Sequence, residues 1–86
     1  MNNLKTLRAE IEYIDHQIVE VLSQRFKLVR AIAGVKKQEG IGAEDINREH
    51  ELMSLYEKWA QEFGLDADFV KELFSKIILE SKRAQE

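Results

Sequence analysis

Arg25 and Lys36 stand eleven residues apart. On a helix that interval is three full turns, so both side chains leave one face within about 20° of each other. Val29 and Ile32 share that face, and the two cations are therefore set into apolar surface. The later string Asp45-Ile46-Asn47-Arg48-Glu49 places positions 45, 48 and 49 at i, i+3 and i+4, which project together from one helix face. Ser81 and Gln85 follow Ile77 and Ile78 at the same steps and put neutral polar groups on an otherwise apolar stripe. With Arg8, the set holds three arginines and a lysine, which suits a small dianion or dicarboxylate. Glu49 adds an acceptor for a hydroxyl, and Ser81 and Gln85 add neutral donors. There is no cysteine, and no histidine is placed beside the serine, so no activated nucleophile is evident. His16 and His50 are too far apart in sequence to suggest a metal site, and none is expected. The chemistry this set supports is positioning plus electrostatic stabilisation of developing charge.

Each signal also has a plainer reading. A core arginine can pair with an internal carboxylate. Asp45 and Glu49 can complement the dipole at a helix start. Ser81 and Gln85 can belong to a fraying helix end, and Lys36 to a Lys36-Lys37 pair near another. Tyr56 and Trp59 read as packing residues, and His16 and His50 as surface residues. What favours the functional reading is the coincidence: every apolar stripe is interrupted by polar groups, and cations dominate the set.

The elements that must position these residues are helices. Apolar residues recur at helical spacing from Leu4 to Gln38, with one internal glycine, Gly34, and no proline in the chain. Heptad positions read Leu4, Leu7, Ile11, Ile14, Ile18, Val21, Arg25, Leu28, Ile32 and Val35, so Arg25 is the one charge in an apolar seam. The run Glu39-Gly40-Ile41-Gly42-Ala43 breaks the pattern, Gly40 fitting a left-handed cap. A second helix is expected from near Asp45, with Ile46, Leu52, Met53, Tyr56, Trp59, Ala60 and Phe63 on its apolar face. Gly64-Leu65 repeats the stop signal, and Asp66 is placed to cap a third helix carrying Val70, Leu73, Phe74, Ile77 and Ile78. The fold class is all-α, with one long helix and two short ones, in a single domain over residues 1–86.

About 34 residues of helix span roughly 50 Å. A compact domain of this length has a radius of gyration of about 12 Å and a diameter near 30 Å. The first helix overshoots its own domain, yet its stripe runs to both ends. A symmetric dimer is the simplest cover. Arg8 lies about 25 Å from Arg25 along the helix axis, beyond the reach of one small ligand. If two antiparallel copies cross near residue 20, Arg8 of the partner subunit arrives between Arg25 and Lys36.

The 86 residues carry 13 cations against 16 anions, a net charge of −3, so nothing global favours nucleic acid. No apolar run is long enough for a signal peptide or a membrane span. The expectation is a soluble cytoplasmic protein that binds neither membrane nor nucleic acid.

The pattern Arg8, Arg25, Lys36, Asp45-x-x-Arg48-Glu49, Ser81 and Gln85 resembles the all-helical (AroQ) class of chorismate mutases. The strings LRAEIEYIDHQIVEVLSQR, DINRE and LDADFVKELFSKIILES agree with it, and the likeness covers residues 4–85. The resemblance implies an intertwined homodimer of three-helix chains that rearranges chorismate to prephenate, in aromatic amino-acid biosynthesis, with no cofactor. It implies that Arg25 and the partner subunit's Arg8 hold the two carboxylates, with Arg48 and Ser81 in support. Lys36 and Gln85 would face the ether oxygen, and Glu49 with Asp45 the ring hydroxyl. Gly42 and Glu44 depart from the proline or basic residue of many relatives, which bears on loop rigidity. Members are often fused to prephenate dehydratase, prephenate dehydrogenase or an aldolase-type synthase. Three rivals remain: an isochorismate pyruvate-lyase of the same fold, a 4-amino-4-deoxychorismate mutase, and a non-catalytic helical dimerisation or regulatory module.

Overall fold

The computed structural model describes residues 3–40 and 46–85, the side chains of Ile46 and Gln85 excepted. The described residues form three helices: α1 (Leu4–Glu39), α2 (Ile46–Glu62) and α3 (Ala67–Gln85). Their ends lie within a residue or so of the expected ones, because local capping chemistry sets them. At the start of α1 the Thr6 N–H donates to the Asn3 side-chain oxygen at 2.8 Å, a cap not read from the sequence. At its end Gly40 adopts φ 73°, and its N–H reaches the carbonyls of Lys36 and Lys37. Helix α2 closes in the same way. Gly64 sits at φ 70°. Leu65 N–H donates to Ala60 O at 2.7 Å, and Gly64 N–H to Gln61 O at 3.3 Å. These are the paired bonds of a Schellman motif. Asp66 precedes α3, and its carbonyl accepts from Val70 N–H at 3.1 Å. Ile41 in the breaking run and Asp45, from near which the second helix is expected, lie outside the described residues.

The Gly64 turn offers a direct check. A Cβ there would touch nothing within 4 Å, so only the left-handed backbone resists a side chain. Gly64→Ala should lower stability by about 1 kcal/mol, read as a shifted urea midpoint with an unchanged slope. No shift would mean that this turn does not hold its left-handed form.

Helix α3 is central. It packs against both α2 and α1, whereas α1 and α2 do not pack on each other among the described residues. The core of the α2/α3 pair is Tyr56, Ala60 and Val70, with Leu52, Met53, Ala67, Phe74 and Ile78 packed around them. Trp59, Phe63 and Leu73, expected on the apolar faces, are exposed. Phe63 falls in the turn after α2, where the helical face no longer points at α3.

Helix α1 presents two faces. The one turned to α3 carries Leu22, Arg25, Phe26, Val29, Ala33 and Lys36, all buried or half-buried. The heptad seam is a different, overlapping face, and its apolar members from Leu4 to Val35 are at least 40% exposed. Residues 3–21 are exposed throughout. The helix does overshoot: the longest extent is 56 Å and the radius of gyration 16.3 Å, against the 12 Å or so of a compact chain. No helix among the described residues is long and apolar enough to cross a membrane.

Candidate active site

Helix α3 packs on both α1 and α2, and a cleft of about 510 Å³ opens between the three helices. Helix α1 supplies Arg25, Val29, Ile32 and Lys36, confirming that the eleven-residue interval puts both cations on one face. Helix α2 supplies Arg48, Glu49, Leu52, Tyr56 and Trp59; α3 supplies Phe74, Ile78, Ser81 and Lys82. Four cations and one carboxylate therefore line a single cleft, on a chain whose net charge is −3. Local placement, not global charge, creates the field that would draw an anion.

Arg25 is half-buried, and its position is fixed by a neutral group. Nη1 donates to Ser81 Oγ at 2.5 Å. Ser81, only 6% exposed, sends its own hydroxyl proton back one turn to Ile77 O at 2.8 Å. A hydroxyl has one proton to give, so toward Arg25 it can only accept. Ser81 thus orients the guanidinium without neutralising it. No carboxylate of the described residues forms an ion pair with Arg25, and the plainer reading of an internal partner finds no support.

The apolar part of the cleft is aromatic. Tyr56 is 3% exposed and stacks on Phe74 with ring centroids 4.1 Å apart and planes 17° apart. Trp59 tilts against Tyr56 at 5.9 Å and stays partly exposed to the cleft. Tyr56 is a packing residue, as its spacing suggested, and also forms part of the wall. An apolar wall beside fixed cations lowers the local dielectric and strengthens their hold on an anion.

Glu49 does not stand alone. Its Oε1 lies 2.7 Å from Lys82 Nζ, an ion pair joining α2 to α3 at the cleft. Lys82 escaped the sequence reading; the available signal was its step of four from Ile78 and its place next to Ser81. Arg48, at the cleft, also lies 3.3 Å from Glu51, an exposed pair worth little to stability. Arg8 is not brought to the cleft by its own chain. It lies on the exposed half of α1, in a separate depression with Leu4, Lys5, Ala9 and Glu12. Asp45 and the side chain of Gln85 lie outside the described residues. Among the described residues no group of three or more His, Asp or Glu could hold a metal ion.

Fold and site together define a class: a small all-α chain of three helices that enclose a cationic, aromatic-walled cleft. The chain belongs to the chorismate mutase type II family, which matches residues 7–86. It is 36% identical over 84 residues to a bifunctional chorismate mutase/prephenate dehydratase of Buchnera aphidicola, covering 98% of this chain and 22% of that protein. This chain thus spans about a fifth of that relative's length. It is 38% identical over 76 residues to an isochorismate pyruvate lyase of Pseudomonas aeruginosa, covering 87% of this chain and 73% of that one. Among solved structures it is similar to a conserved hypothetical protein from Pyrococcus furiosus. The TM-score is 0.76 and the identity 36%, over 100% of this chain and 99% of that one.

Proposed function

We propose that this chain is a chorismate mutase, acting as a cytoplasmic homodimer in which residues 1–86 form one catalytic domain. The observation that carries the reading is Arg25: a half-buried guanidinium aimed into the cleft and oriented by a neutral hydroxyl, with Lys36 three turns along. That arrangement suits a substrate that brings its own carboxylates. Chorismate carries two, together with an ether oxygen and a ring hydroxyl, and the polar groups of the cleft can be matched to all of them.

In this reading Arg25 takes one carboxylate and the partner subunit's Arg8 the other, with Arg48 and Ser81 beside them. The rearrangement breaks one C–O bond and forms one C–C bond within the same molecule, so atoms and electrons balance with no cofactor. As the C–O bond lengthens, negative charge gathers on the ether oxygen, where Lys36 and Gln85 would donate. Glu49, with Asp45 at the start of α2, would accept from the ring hydroxyl. The enzyme's contribution is to hold the compact, reactive conformer and to stabilise the charge as it separates. Losing one such donor typically costs about 10²–10³ in rate.

The lyase reading has one specific support, the 38% identity to the Pseudomonas aeruginosa enzyme. Glu49, within the DINRE string, and the small Ser81 favour the mutase. Incubation with each substrate separates the two. Prephenate formed from chorismate supports the mutase, whereas pyruvate from isochorismate with no prephenate from chorismate would replace it with the lyase.

A further inference from the structure

Lys82 has no place in the reaction as set out above, yet it lines the same cleft as Arg25, Lys36 and Glu49. Its ammonium lies 2.7 Å from Glu49 Oε1, with 32% of its side chain and 26% of that of Glu49 exposed. Both partners also line a second groove on the far side, so the pair stands as a partition at the edge of the cleft. An ionised carboxylate accepts through both oxygens. With Lys82 at Oε1, Oε2 remains to accept from a ligand.

We infer that Lys82 is a specificity-determining residue, which acts through Glu49 to make the cleft accept a hydroxyl and refuse an ammonium at the same position of the substrate ring. This rests on the mutase reading of the site. A lone glutamate attracts a cation more strongly than it attracts a neutral hydroxyl. Once Lys82 balances its charge, the attraction for a cation is cancelled and a like charge faces any ammonium brought alongside. The hydrogen bond to a neutral hydroxyl loses far less, because that group carries no net charge to repel. Selectivity here comes from a repulsive element as much as from an attractive one. An aliphatic amine is protonated at neutral pH, so 4-amino-4-deoxychorismate presents such an ammonium where chorismate presents its hydroxyl. Lys82 thereby becomes a positioning residue for Glu49 and a barrier to the amino analogue.

The test compares kcat/KM for chorismate and for 4-amino-4-deoxychorismate in the wild type, Lys82→Met, Lys82→Gln and Lys82→Arg. The wild type should prefer chorismate. Both neutral variants should shift the preference toward the amino analogue by about tenfold to a hundredfold, chiefly through a lower KM for that analogue. Lys82→Arg keeps the charge and should keep the wild-type ratio. A purely structural role would lower both activities together, leave the ratio unchanged and overturn the inference. So would a Lys82→Arg variant that behaves like Lys82→Met, or a wild type that prefers the amine. If the wild type converts neither compound, the mutase reading itself fails. The chorismate arm of the wild type shows that separately.

Discussion

Arg25→Ala is expected to lower kcat/KM for chorismate by about a thousandfold while leaving a folded, fully helical protein. The hydrogen bonds explain why activity and fold should separate so cleanly. Ser81 keeps its own proton on the Ile77 carbonyl whether or not Arg25 is present, so truncation strands no donor. What remains is one unsatisfied hydroxyl lone pair, a small loss beside that of a charge facing the cleft. Arg25→Leu sharpens the test. It replaces a half-buried cation by an apolar group in a seam of such groups, a change that is often neutral or stabilising. That variant should melt at or above the wild-type temperature and be just as inactive. Circular dichroism, thermal melting and chorismate turnover on the three proteins decide the matter. Activity within a few-fold of wild type in both variants would return Arg25 to a structural role and favour the dimerisation-module reading.

The second large effect concerns Arg8. Its own chain holds it on the exposed half of α1, about 25 Å from Arg25 along the axis. In the proposed dimer it acts in the partner's cleft. Arg8→Ala and Arg25→Ala should each lose about 10² or more in rate as homodimers. Mixed by unfolding and refolding together, they should regain up to about a quarter of wild-type activity. Half of the dimers are then mixed, and each of those carries one intact site. No recovery on mixing, or an Arg8→Ala enzyme with full activity, would remove Arg8 from the site.

Helix boundaries were legible in this sequence because capping is local chemistry. Gly40 and Gly64 each mark a left-handed stop, and the turn at Gly64 makes both of its expected bonds. The shared face of Arg25 and Lys36 was legible for the same reason, since it follows from helical pitch alone. Which face of α1 meets α3 was not legible. Periodicity shows that a face is apolar but not what covers it, and two overlapping stripes run along this helix. Val29, the buried residue of α1, belongs to the stripe the heptads did not mark. The Glu49–Lys82 pair was hidden for a different reason. Its members sit on different helices, and their meeting depends on how α2 and α3 cross, which residue spacing does not encode.

The core of the chain is small: four apolar side chains are buried among the described residues, while the heptad seam lies open to water. In the proposed dimer most of the hydrophobic gain would come from contacts between chains, so folding and association become one equilibrium. Dilution then acts as a denaturant. Both melting temperature and specific activity would fall as protein concentration drops, because in that dimer each protomer would borrow its interior from the other.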